Sequence, residues 1–138
     1  MSALDAALAG IGVCRIKNGP RYKQIVLADG IRGHDISALH AQRAAHQGRA
    51  LVDLFITDWD RWGWIFLLRT GPAEFSHWLV KSKRYGGGLP SYLRADEGAL
   101  CRGSEMLVTP EEQDVFALLG LPWMEPSERR PLENLQVA

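Results

Sequence analysis

The stretch VDLFITDWDRWGWIFLLRTGPAEFSHWLV, residues 52–80, decides how this chain is read. It opens with an aspartate, Asp53, inside an apolar run. The alternation predicts a strand over residues 51–57, with Leu51, Asp53 and Phe55 on one face and Val52, Leu54 and Ile56 on the other. Apolar residues on both faces predict burial on both sides. An ionised carboxylate in such a place is costly unless something pairs it. Asp53 therefore calls for a metal ion or a basic group, and Arg49 and Arg69 are nearby candidates. A second apolar run, residues 64–68, reads as another strand. Residues 58–63 would join the two as an antiparallel hairpin. Arg69-Thr70-Gly71-Pro72 then leads into a helix.

That helix is expected over residues 72–84. Pro72 suits its first position and Glu74 its first turn. Phe75, Trp78 and Leu79 fall at helical spacing, and Gly86-Gly87-Gly88 stops it. Further on, residues 92–94 and 99–101 flank a turn and predict a β-hairpin. Thr109-Pro110-Glu111-Glu112 combines an N-cap, a first-position proline and a capping box. The helix it starts has an apolar face of Val115, Phe116, Leu118 and Leu119, and Gly120 ends it. Residues 122–131 read as an extended tail packed through Trp123. Upstream, Ser2 and Asp5 have capping-box spacing for a short helix over residues 2–9. Residues 13–16 and 22–28 read as strands around the Asn18-Gly19-Pro20 turn. Residues 35–47 read as a helical insertion. The fold class is α+β: a small antiparallel sheet followed by a helix–β-hairpin–helix module.

Composition narrows the function classes. The chain has 138 residues, 46% of them hydrophobic, enough for a real core. Sixteen basic residues balance sixteen acidic ones, so no global field draws in nucleic acid. Such binding must come from local clusters: Arg15, Lys17, Arg21 and Lys23; Lys81, Lys83 and Arg84; or Arg129 and Arg130. Cys14 and Cys101 fit no metal or redox motif and read as free thiols of a reducing cytosol. His40 and His46 lack ligand spacing. No run is long enough to span a membrane, and the N-terminus lacks signal-peptide character, so a cytoplasmic location is expected. Trp59, Trp62 and Trp64 read as packing residues rather than base-stacking platforms.

In their order and spacing, NGPRYKQIVL, VDLFIT, WGWIFLLRTGPAEFSHWLV, KRYGGGLPSYLR, TPEEQDVFALLGLPW and EPSERR resemble the C-terminal part of family X DNA polymerases, the DNA polymerase beta group. The resemblance covers residues 18–130. It implies a partial nucleotidyltransferase palm over residues 1–71 and a thumb over 72–138. It also implies that Asp53 is one leg of a Mg²⁺ site, that Arg69, Thr70 and Gly71 lie by the incoming nucleotide, and that Lys81, Lys83 and Arg84 face DNA. Two parts of the family pattern are missing in clear form: the Gly-Ser motif that binds triphosphate and the Asp-x-Asp pair. Residues 28–36 echo the first only faintly. Ser76, His77 and Val80 stand where the family's minor-groove contacts belong. One carboxylate cannot hold two Mg²⁺ ions, so the chain alone is expected not to polymerise DNA. The expected partners are DNA, a second copy of this chain or a separate catalytic half, with no membrane. A degenerate prophage-like remnant, a split-gene half, the C-terminal half of a longer protein and a repurposed, non-catalytic homodimeric binding module all fit that pattern.

Overall fold

The computed structural model describes residues 2–10, 14–27 and 50–132. The helix expected over residues 35–47 lies outside them, as do Asp29, Asp35, His40 and His46. The chain forms two compact units, Met1–Ile56 and Thr57–Ala138. The expected boundary at residues 71 and 72 therefore moves upstream.

In the first unit, helix α1 (Ala3–Gly10) precedes strands β1 (Cys14–Asn18), β2 (Tyr22–Leu27) and β3 (Ala50–Phe55). These form an antiparallel sheet in the order β1-β2-β3. A bulge at Ile16 shifts the pairing, so that Arg15 faces Ile25 and Lys17 faces Gln24. Ile25 and Val26 on the central strand are buried, and so is Lys23. The Lys23 ammonium is satisfied: it lies 2.5 Å from Asn18 Oδ1 and 3.0 Å from Asp5 Oδ1. Arg15 approaches the same carboxylate at 3.3 Å. The Ser2 hydroxyl donates to Asp5 at 2.6 Å and accepts from the Asp5 amide at 3.2 Å, as their spacing in the sequence predicts.

The hydrogen bonds from Ser2 and then Lys23 hold the Asp5 carboxyl down at about 2, against an ordinary 3.8. A depressed carboxyl stabilises the fold above its unfolded value and loses that contribution as it protonates. The Asp5 contribution should thus be complete above pH 4 and vanish as the pH falls through about 2. A carboxyl NMR titration checks this. A midpoint near 3.8 would show that the Ser2 and Lys23 contacts do not persist in solution.

Strand β3 departs from the expected burial on both sides. Leu51, Asp53 and Phe55 form an exposed face, while Val52, Leu54 and Ile56 are half-buried. Asp53 sits at the surface opposite Gln24, so it bears no desolvation penalty of the kind its sequence context suggested.

The second unit begins with a short 3-10 turn, Trp59–Arg61, in which the Asp58 side chain accepts from the Arg61 amide. Helices α2 (Trp62–Arg69) and α3 (Ala73–Val80) follow. Strands β4 (Arg94–Asp96), β5 (Ala99–Arg102) and β6 (Glu105–Leu107) form an antiparallel meander, and helix α4 (Glu112–Leu119) closes the unit. Residues 64–68 are therefore helix, not strand, and no hairpin joins them to β3. The burial pattern gives the reason. Gly63, Trp64 and Leu67 are buried while Trp62 and Phe66 are exposed, a helical stripe rather than an alternation. Trp64 joins Leu67, Phe75, Leu79, Leu100, Val115, Phe116 and Leu119 in one core. Each such side chain stabilises by about 1.5–3 kcal/mol when fully buried. Because Trp64 and Leu67 belong to that core, α2 belongs to the second unit. Trp59 is 69% exposed and Trp62 stacks on Phe66 at the surface, so of the three tryptophans read as packing residues Trp64 alone lies in the core.

The N-terminus of α2 abuts the backbone leading into α4. The Gly63 amide donates to the Thr109 carbonyl at 2.7 Å, and the Thr109 amide donates to the Asp60 carbonyl at 2.8 Å. This satisfies a helix-terminal N–H that has no partner within the helix. A Cβ on residue 63 would lie 2.1 Å from the Glu111 carbonyl oxygen, so the approach requires glycine. With Thr109 used in this way, the N-cap of α4 falls two residues later than its sequence suggests. Glu111 is the cap, and it forms a reciprocal box with Asp114. The predicted hairpin is present as β4–β5, turned by Glu97 and Gly98 with φ of 51° and 74°. Two successive positive φ values are those of a type I′ connection. The third strand, β6, was not foreseen.

Candidate functional site

Helix α3 divides cleanly into two faces. Phe75 and Leu79 are fully buried, whereas Ala73, Ser76, His77 and Val80, spaced at i, i+3, i+4 and i+7, face outward. Those four residues, with Leu68, Arg69 and Gly71, line a groove of about 410 Å³. The Ser76 hydroxyl donates to the Leu68 carbonyl at 2.9 Å and ties the two helices together at the groove. The structure thus brings Arg69 and Gly71, two of the expected nucleotide-contact residues, to one concave surface.

Thr70, the third, is used differently. Its hydroxyl lies 2.9 Å from the Phe66 carbonyl, 3.0 Å from Glu112 Oε1 and 2.6 Å from Arg129 Nη1. Arg129 Nη1 also binds Glu112 Oε1 at 2.9 Å, and its Nε donates to the Met124 carbonyl at 3.1 Å. The guanidinium is buried, 5.5 Å from the Phe116 ring centroid and 5.4 Å from that of Trp123. A charge-assisted pair whose cation lies against two aromatic rings recovers much of the desolvation cost of both ions. Gly71, at φ 81°, lies directly beneath: a Cβ there would be 2.9 Å from the Pro126 carbonyl oxygen. The tail is therefore pinned onto the turn that forms one wall of the groove. It is not simply extended, since Pro126–Glu128 makes a 3-10 turn. Arg129, expected in a basic surface cluster, is an internal clamp. No short-range pattern predicts this clamp, because its partners Thr70 and Arg129 are 59 residues apart.

The basic segment lies just beyond α3. Lys81, Lys83 and Arg84 are all exposed. Their loop is fixed at both ends: the Lys83 amide donates to the Leu89 carbonyl at 2.7 Å, and the Leu89 amide donates to the Lys81 carbonyl at 3.0 Å. Residues 83–85 form a 3-10 turn, with the Ser82 hydroxyl accepting from the Arg84 amide. The expected helix over residues 72–84 thus breaks at Val80 and resumes as this turn, which directs the cations outward. Gly87 and Gly88 are buried rather than forming an open hinge, and Gly88 packs directly against the Trp78 ring.

In the first unit, Asp53 accepts hydrogen bonds from the Tyr22 hydroxyl at 2.8 Å and Gln24 Nε2 at 2.9 Å, both on Oδ1. Among the described residues, no group of three or more His, Cys, Asp or Glu side chains could hold a metal ion. Mg²⁺ demands near-octahedral oxygen ligation, usually through one or two carboxylates together with substrate phosphates. A carboxylate already engaged by two donors, and without a clustered neighbour among the described residues, does not by itself make a two-metal centre. Also among the described residues, no helix is long and apolar enough to cross a membrane.

The family model of the DNA polymerase beta thumb matches residues 88–130. Over 92 residues the chain is 32% identical to DNA polymerase lambda from Rattus norvegicus, a match spanning 62% of this chain and 16% of that protein. Together they bear out the resemblance to family X polymerases. The segment matched by the family model contains β4, β5, β6, α4 and both Glu112 and Arg129, while the groove residues 68–80 precede it.

Proposed function

We propose that this chain is a family X polymerase-like thumb module that binds DNA weakly, with the α3 groove and the cations at its end as the contact surface. The observation that carries this reading is the outward stripe of α3 leading directly to the exposed Lys81, Lys83 and Arg84. A helix face with a concave flank can lie along a duplex, and cations just past the helix end can meet phosphates. Arg69 and the Gly71 backbone would lie against a terminal nucleotide. The α3 side of the groove, Ser76, His77 and Val80, presents only one short hydroxyl and one imidazole, so contact there is weak and tolerant of sequence.

Fluorescence anisotropy with a gapped duplex tests this reading. Replacing Lys81, Lys83 and Arg84 together by glutamate should weaken binding by about tenfold or more at low salt. It should also flatten the dependence of log K on log salt by about 2–3. Unchanged affinity would remove the basic turn from the interface. A primer-extension assay on the chain alone with Mg²⁺ should give no product, since Asp53 has no clustered acidic partner among the described residues. Extension that survives Asp53→Ala would mean that catalysis runs through other carboxylates.

A further inference from the structure

A second concavity in the same unit is larger than the groove and shares no residue with it. It measures about 780 Å³ and lies between the loop over residues 83–92 and the end of α4. Lys83 and Arg84 form one wall, Pro90, Ser91 and Tyr92 another, and the last turn of α4 with Gly120 the third. No acidic side chain lines it. Two cations can sit side by side here because the C-terminal end of α4 carries partial negative charge. Tyr92 is 60% exposed, and the Arg102 guanidinium lies 5.7 Å from its ring centroid. The phenol is thus braced by a cation yet still open to solvent. Pro90, Ala117 and Leu118 add apolar lining.

We propose that this cleft takes an unpaired stretch of nucleic acid, with a base stacked on Tyr92 and its flanking phosphates on Lys83 and Arg84. A flat exposed ring beside a basic wall is the combination that single strands use, because every base has a π-face and every link a phosphate. Base pairs inside a duplex present only their edges, so stacking on Tyr92 within a strand calls for an unpaired base. Lys81 lies in sequence between the last groove residue, Val80, and the first cleft residue, Lys83, so a strand leaving a duplex on the groove could run directly into the cleft. The proposal rests on the preceding reading only in taking Lys83 and Arg84 as phosphate contacts.

The test compares three probes on the full chain: a blunt duplex, the same duplex with a four-nucleotide overhang carrying 2-aminopurine, and a free thymidine decamer. The overhang should tighten binding about tenfold over the blunt duplex, the scale of one stacked base. The 2-aminopurine emission should be quenched on binding. Tyr92→Ala should abolish both effects and leave blunt-duplex binding unchanged, while Tyr92→Phe should retain both. Decamer binding that depends on Tyr92 would sustain the cleft even if the blunt duplex failed to bind, and that failure would sink only the groove reading. The proposal is overturned if the overhang adds nothing, if Tyr92→Ala leaves its effect intact, or if a glutamate decamer displaces the single strand as readily as thymidine does.

Discussion

Arg129→Ala should destabilise the second unit by about 3–5 kcal/mol, the usual cost of removing one partner of a buried ion pair. Three losses combine. The Glu112 carboxylate loses its cation, the Thr70 hydroxyl loses one of its contacts, and the Phe116 and Trp123 rings lose the cation that lies against both. For a unit of this size the unfolding midpoint should fall by roughly 15–30 °C. Thermal and urea unfolding would measure it. Most of the cost is the stranded carboxylate rather than the lost attraction. The double variant Arg129→Met with Glu112→Gln should therefore recover a large part of the loss. A cycle in which the two single changes simply add would show that the pair is not coupled in solution. The variant should also loosen the Thr70–Gly71 turn, so hydrogen exchange at the Thr70 amide should speed up before global unfolding.

Gly63→Ala should also destabilise, by about 3 kcal/mol, although helix propensity favours the change by about 1 kcal/mol. The added methyl would lie 2.1 Å from the Glu111 carbonyl oxygen and 2.7 Å from that of Thr109. Both are backbone atoms, so no side-chain rotation relieves the overlap. Helix α2 must withdraw, which stretches the bond from the Gly63 amide to Thr109 and moves Trp64 and Leu67 in the core. Equilibrium unfolding checks the sign. A stabilised variant would mean that α2 does not dock so closely.

Much of the second unit was legible in the sequence because its signals were local. The face of α3, the turn at Glu97 and Gly98 and the existence of α4 all follow from short patterns. The reading failed where one pattern serves two periods. Residues 64–68 are apolar throughout and short, so strand and helix predict the same letters. What separates them is that Trp64 and Leu67 face a core built largely from residues 75–121, which no local window contains. Asp53 failed differently. Its neighbours Leu51 and Phe55 are apolar, yet that face of the sheet is exposed, and exposed apolar residues are common enough to mislead. Of the candidate site, Arg69, Gly71 and the basic turn were named on the family resemblance; the structure brings Arg69 and Gly71 to one groove and leaves the three cations exposed. Glu112 and Arg129 were missed because what unites them with Thr70 is tertiary.

The distance in sequence between Thr70 and Arg129 also bears on the order of events during synthesis. Helices α2 and α3 leave the ribosome early, but their turn cannot be sealed until residue 129 has been made. Until then Glu112 holds a charge with no guanidinium to meet it, and Phe116 lacks its edge-on contact with Trp123. The nascent unit must therefore wait in a loosely associated form, and the closing step is a long-range one of the kind that slows folding. A stalled chain ending after Gly120 should be cut readily by protease, and one extended past Arg129 should resist. Completion of this unit is thus timed by the arrival of a single arginine.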